Sequence, residues 1–194
     1  MNYLGHIYLS GKPSELMIGN FIADFVKGKQ VLQYSPKIQK GILLHRKIDA
    51  YTDQHPIVRE AAELLKPKHG RYAPIIMDVF YDYLLAKNWD KHHTRSLLQF
   101  SEEVYVYFKK NSSLFPPQVQ GFLPNMEQNN WLLNYGTLYG MKKSLEGLSR
   151  RAKYAHQLSD AVADLETHYE FFNKTFPFFI TDMIGFVKQE KLKL

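Results

Sequence analysis

The sequence predicts an all-α fold, a single-domain helical bundle, and three observations carry that prediction. Apolar residues recur at three- and four-residue spacing through most of the chain, no segment alternates convincingly in β fashion, and segment ends carry helix-start and helix-stop residues. With 194 residues, 45% of them apolar, the chain can bury one substantial core. It holds no internal repeat, low-complexity tract or linker, so residues 1–194 are read as one domain.

The first element places Asn2 and His6 four residues apart. Leu16 to Lys27 then reads as a helix that Gly28 closes. Ser35-Pro36 opens the next helix, with proline at the permitted first position; it runs through His45 to about Asp53, where His55-Pro56 breaks it. Ile57 to Lys66 forms a short helix before Pro67, and Ala73-Pro74 opens a strongly apolar one, Ile75 to Trp89. Ser96 to Lys110 is amphipathic, with Leu97, Leu98, Phe100, Val104 and Phe108 on one face. After a turn at Asn111 to Pro117 come Val119 to Met126, Trp131 to Leu138 and Met141 to Leu148. A long helix from about Lys153 to Phe176 and a last one from Phe178 to Lys191 complete the chain. The aromatic cluster from Tyr169 to Phe179 is read as core.

Composition excludes several kinds of chemistry. There is no cysteine, so disulfides, thiolate catalysis and cysteine-ligated zinc are absent, which fits a reducing cytoplasm. No signal peptide is apparent at Met1 to His6, and the late apolar stretch Phe176 to Val187 is interrupted by Pro177 and Asp182. A membrane span needs ~20 apolar residues, so none is expected. Phosphate-binding glycine loops, G-x-S-x-G and H-E-x-x-H are missing. The net charge of +6 favours an acidic partner. The basic residues are dispersed and no nucleic-acid motif appears, so an acidic protein is at least as good a partner as a nucleic acid.

The informative pattern is a set of polar pairs inside apolar helices. His45 and Asp49 are four apart, with Thr52 continuing the stripe; Asn20, Asp24 and Lys27 form another; Asp78 and Asp82 a third; Asn2 and His6 a fourth. Side chains at i and i+4 share a helix face. A buried carboxylate costs several kcal/mol unless it is paired or ligates a metal. Each pair alone has a plainer reading: a hydrogen-bonded core histidine at His6, a Lys27 or Arg46 salt bridge at Asp24, a solvent-facing stripe at Asp78/Asp82. Together they favour one polar centre holding a divalent metal through oxygen and nitrogen, Mn²⁺, Mg²⁺, Fe²⁺ or Zn²⁺.

The same residues resemble the bacterial acyl-carrier-protein phosphodiesterase family. The likeness is carried by Met1-Asn2-Tyr3-Leu4-Gly5-His6-Ile7-Tyr8-Leu9-Ser10, by Gly19-Asn20-Phe21-Ile22-Ala23-Asp24-Phe25-Val26-Lys27-Gly28, and by His45-Arg46-Lys47-Ile48-Asp49 through Thr52-Asp53 to His55-Pro56. Further matches are Ala73-Pro74-Ile75-Ile76-Met77-Asp78-Val79 with Asp82, Trp131-Leu132 with Tyr135, and Ser149-Arg150-Arg151. Many members carry histidine where this chain has Tyr83, and Arg46 stands where an adjacent His-Asp dyad would have its aspartate.

The resemblance implies a hydrolase that removes 4′-phosphopantetheine from holo acyl carrier protein, in an HD-domain-like helical fold related to metal-dependent phosphohydrolases. The expected metal ligands are His6, Asp24, His45, Asp49 and Asp78, with Mn²⁺ the leading metal. Lys27 and Arg46 are the candidates for stabilising phosphoryl oxygens, and Asp53 or Asp82 for orienting water or holding a histidine tautomer. The acidic carrier gives the net positive charge a natural partner. Two other readings stand beside this one: a phosphohydrolase acting on a nucleotide, and a non-catalytic helical adaptor for an acidic protein. Oligomeric state is left open.

Overall fold

The computed structural model describes residues 1–151 and 158–194, and the described residues form eleven α-helices joined by 3₁₀ turns and loops, with no strand among them. No described helix is long and apolar enough to cross a membrane. The helices are α1 (Tyr3–Ser10), α2 (Glu15–Ile22), α3 (Pro36–Gln54), α4 (Pro56–His69), α5 (Ala73–Lys87) and α6 (Leu97–Lys110). They continue with α7 (Pro117–Gln128), α8 (Trp131–Asn134), α9 (Leu138–Arg151), α10 (Ala161–Thr167) and α11 (Tyr169–Lys193).

Local signals explain most of the ends. Ser35 caps α3 by accepting from the Ile38 N–H at 3.3 Å, with Pro36 at the first helical position. Ser96 and Gln99 form a reciprocal capping box at α6. Gly70, at φ +53°, lies just past the end of α4.

Several expected boundaries move; among them, α4 runs through Pro67 to His69, and α5 ends at Lys87 with Trp89 in a 3₁₀ turn. The helix expected to reach Lys27 stops at Ile22 and tightens into a 3₁₀ turn, Ala23–Phe25, which takes Lys27 off the Asn20–Asp24 stripe. The helix expected over Trp131 to Leu138 is the four-residue α8, and α9 begins at Leu138. Residues 153–157 of the expected long helix lie outside the described residues; from Leu158 on, that segment is a 3₁₀ turn, then α10, then a break at His168. Finally, α11 runs through Pro177 without stopping. An interior proline costs about 3 kcal/mol, and here the buried face Phe172, Phe176, Phe179, Ile180, Met183 and Val187 outweighs it.

α2 lies across α3, while α1 packs on α2 and α5. α11 closes over α3, α4 and α5, and α9 covers another side of α5. The core between them is aromatic: Phe21 stacks on Phe108 at 4.6 Å, and Tyr81 on Phe179 at 4.5 Å. The α2–α3 crossing is closer than side chains allow, because Gly19 and Gly41 face each other there.

α1 is held from both ends by distant residues. The buried Asp82 carboxylate on α5 accepts from the Leu4 N–H at 2.8 Å and from the Asn2 and Gly5 N–H groups at 3.1 Å. It thus takes the free donors at the start of the helix. At the other end Lys191 of α11 donates to the Leu9 and Ser10 carbonyls at 2.6 and 2.9 Å.

Candidate functional site

His6 on α1 and His45 on α3 lie face to face, ring centroids 3.9 Å apart and planes 17° from parallel. Both are buried, and both point Nε2 at Asp49, one turn beyond His45 on α3. His45 Nε2 is 3.0 Å from Asp49 Oδ2 and 3.2 Å from Asp24 Oδ1. Nitrogen or oxygen atoms of His6, His45 and Asp49 fall within 4.8 Å of one another, which makes them a candidate metal group among the described residues.

One residue orients both rings. The Asn20 carboxamide donates through Nδ2 to the His6 carbonyl and to Ser10 Oγ, each at 2.9 Å. Its Oδ1 is therefore an acceptor, and His6 Nδ1–H donates to it at 2.9 Å. The Asn20 backbone carbonyl in turn accepts from His45 Nδ1–H at 2.8 Å. With both Nδ1 atoms protonated, a neutral ring offers its lone pair at Nε2, which is how metal-ligating histidines are held.

His6 Nε2 lies 3.1 Å from Asp49 Oδ1, close enough to count as an ion pair, yet out of line for a hydrogen bond. Nδ1 carries the proton, so Nε2 has no N–H to donate. A buried nitrogen lone pair thus faces a carboxylate lone pair, and a cation between them satisfies both.

The electrostatics separate the two rings. Burial, with the neighbouring charge of His45, pushes His6 below its ordinary range. Burial also acts to lower His45, but hydrogen bonds to Asp24 and Asp49 outweigh it and raise His45 to about 9. Burial opposes ionisation of Asp49, and the hydrogen bond from His45 overcomes it, holding the carboxyl well below the usual range. The hydrogen bond from His45 likewise lowers Asp24.

The other expected site residues fall into two groups. Lys27 is exposed and shares an open cleft with Asp24, Phe25, Gln30 and Gln118, while Arg46 is exposed beside His45. Asp53 stands one turn beyond Asp49; burial, then the charges of Asp78 and Asp49, raises its carboxyl. Asp78 and Asp82 are placed elsewhere. Asp78 accepts from the Met1 amino group at 2.6 Å and is not in the histidine group. Asp82 is occupied at the start of α1, and burial pushes its carboxyl up to about 7 against the pull of the amino group and three N–H donors. It touches neither imidazole, so the holding of tautomers, expected of Asp82 or Asp53, falls to Asn20. Thr52 turns back to the Ile48 carbonyl at 2.9 Å.

In the sequence Asn20 is only one member of a polar stripe, with no role assigned to it; the further signal is a lone carboxamide in Met17-Ile18-Gly19-Asn20-Phe21-Ile22, where every other residue is apolar or glycine.

Residues 1–183 match the family described as acyl carrier protein phosphodiesterase. A relative of that name from Photorhabdus laumondii is 34% identical, the match covering 91% of this chain and 89% of the relative. Those from Yersinia enterocolitica and Serratia proteamaculans, with the same name, are 32% and 31% identical, each over 99% of this chain and all of the relative. No solved structure matches.

Proposed function

We propose, on the premise that this chain belongs to the acyl carrier protein phosphodiesterase family, that it hydrolyses the bond between 4′-phosphopantetheine and the serine of holo acyl carrier protein. Water adds to phosphorus, the P–O bond to serine breaks, and the serine oxygen leaves with a proton, giving apo carrier and free 4′-phosphopantetheine. The observation that carries the reading is the pair of imidazoles set by Asn20 to aim Nε2 at Asp49.

His6 and His45 through Nε2 and Asp49 through its carboxylate would hold a divalent ion, with Asp24 at the edge. A nitrogen and oxygen donor set without sulfur suits Mn²⁺, with Mg²⁺, Fe²⁺ and Zn²⁺ as alternatives. When bound, the ion supplies an activated water and neutralises charge at phosphorus.

The chain's own residues do the rest. Asn20 fixes both rings before substrate arrives, so no reorganisation is needed during the reaction. Lys27, on the cleft it shares with Asp24, and Arg46, beside His45, meet the phosphoryl oxygens. Asp53, whose raised carboxyl suits proton exchange, orients the water. The net charge of +6 complements an acidic carrier and speeds encounter.

The test is purified protein with holo acyl carrier protein and Mn²⁺, read by mass spectrometry of the carrier. Loss of the phosphopantetheine mass, abolished by EDTA and by His45→Ala, is expected. Cleavage that survives both treatments would overturn the metal reading. A carrier left intact by the metal-loaded protein would overturn the substrate.

A further inference from the structure

We infer that a cavity of about 470 Å³, walled by α7, α8, α9 and the start of α1, receives the pantetheine arm of the substrate, an assignment that rests on the carrier-protein reading above. Its volume falls in the range of about 300–1,000 Å³ typical of small-molecule and cofactor sites.

Position comes first. Asn2 lines the cavity and caps α1, the helix that carries His6 four residues further on. A run of ring contacts leads from the cavity to the residue beside Asp24. Trp131 in the wall stacks on Phe122 at 5.9 Å with planes 5° apart, and Phe122 meets Phe25 at 5.7 Å. Phe25 follows Asp24, whose Oδ1 touches His45 Nε2. A phosphodiester held at His6, His45 and Asp49 can therefore send one substituent along these rings while the carrier protein stays outside.

The lining matches the arm's chemistry. Pantetheine alternates secondary amides with methylene and geminal dimethyl groups. The cavity alternates carboxamides with rings: Asn129 and Asn134 beside Trp131 and Tyr139. Asn129 donates its Nδ2 to the Asn125 carbonyl at 3.0 Å, and Asn134 donates to the Asn129 carbonyl at 2.6 Å. Each keeps its Oδ1 to accept an amide N–H. A simple alkyl chain would leave those acceptors unpaired, which disfavours a fatty acyl group as the occupant.

Gly147 supplies the means to test this. Among the described residues a Cβ there meets only an Arg150 guanidinium nitrogen, at 3.9 Å, so a larger side chain extends into the cavity wall. The Mn²⁺-loaded protein is titrated with 4′-phosphopantetheine, with pantetheine and with inorganic phosphate, following Trp131 fluorescence with Trp131→Phe as the blank. Pantetheine without its phosphate is expected to change the Trp131 signal, whereas phosphate alone is not. Gly147→Phe should weaken pantetheine at least about tenfold and raise KM for holo carrier by a similar factor, with Mn²⁺ affinity unchanged.

Tyr139→Ala is the second variant; the side chain is 67% exposed, so its loss places no burden on folding. It should weaken pantetheine severalfold. Wild-type cleavage of holo carrier with no pantetheine response, and with KM insensitive to both variants, would overturn the cavity assignment and leave the hydrolase reading intact. Pantetheine binding lost in Gly147→Phe supports the assignment even if the wild type leaves holo carrier uncut, an outcome that overturns only the hydrolase reading.

Discussion

Gly19 and Gly41 touch where α2 crosses α3: a Cβ on Gly19 would stand 2.9 Å from the Gly41 Cα and 2.0 Å from the Ile38 carbonyl oxygen. A Cβ on Gly41 would meet the Leu16 carbonyl oxygen at 2.1 Å. The obstacles are backbone atoms, which cannot swing aside as a side chain does. This approach is what lets the Asn20 carbonyl on one helix take the His45 Nδ1–H on the other.

Gly41→Ala should therefore spread the crossing and lower stability by about 3 kcal/mol, at the upper end of overpacking costs. Mn²⁺ affinity should fall with it, because the His45 ring loses its carbonyl partner. Urea denaturation and calorimetric Mn²⁺ titration read the two effects. A midpoint equal to the wild type's would refute the claim that the crossing tolerates no side chain.

Asn20→Ala removes the acceptor for His6 Nδ1–H and both donors that tie the His6 carbonyl and Ser10. Outer partners of metal-ligating histidines typically contribute 10- to 100-fold in affinity, and about that loss for Mn²⁺ is expected here. The His45 partner is a backbone carbonyl and persists, so the loss should be smaller than for His45→Ala. Equal affinity for Asn20→Ala and wild type would show that the ring orientation is set by something else.

The metal-free protein should lose stability as pH rises from about 6.5 to about 9. His45 is raised from 6.5 to about 9 in the fold, so the stability it contributes is complete below its unfolded value and disappears as pH climbs through the folded one. Over the same window metal binding should tighten, since the ion displaces the His45 proton. Apo denaturation curves at stepped pH should slope downward in the wild type and less steeply, by up to one proton, in His45→Gln, where the Met1 amino group and Asp82 still titrate. A slope undiminished in that variant would assign the titration to those groups.

Replacing Asp82 separates anchoring from chemistry. Asp82→Ala leaves three N–H donors at the buried start of α1 without acceptors and should cost about 2–3 kcal/mol. Asp82→Asn keeps one oxygen and should lose less. In both, the activity that remains should track the folded, metal-loaded fraction. A fully folded, metal-loaded Asp82→Asn with no turnover would return this residue to the reaction.

Lys27→Ala and Arg46→Ala should lower kcat by about 10- to 100-fold without changing Mn²⁺ affinity, as expected for cations that act on the developing charge. Steady-state kinetics on holo carrier with saturating metal supplies the comparison. A matching loss of metal affinity would instead place the side chain in the structure of the centre.

Spacing within a helix is local, and that is why the pairing of His45 with Asp49 can be read from the chain: four residues on one α-helix bring Nε2 to within 3.0 Å of the carboxylate. The same spacing at Asp78 and Asp82 says only that they share a side of α5. What they face is the first residues of the chain, and no local pattern reveals that. Asn20 stands in a polar stripe without a role of its own there, for the related reason that its importance arises where α1, α2 and α3 meet. Pro177 reads as a stop, yet the apolar face on either side of it decides the matter. Helical class and most helix positions follow from periodicity and caps; the exchange of partners between helices follows from tertiary packing.

The double anchoring of α1 also has a bearing on time. Eight residues are too few to hold a helix alone in water. Its first turn waits for a carboxylate 77 to 80 residues along the chain, and its last for an ammonium more than 180 residues along. Contacts of such long sequence separation close slowly. His6 therefore takes its place only after the two ends of the chain have met, while the partnership of His45 with Asp49 can form within a single helix. Capture of a metal by all three would then signal completed folding, and refolding followed by ion uptake should lag behind refolding followed by helix content. An ion so captured would draw the whole chain toward its folded state by mass action.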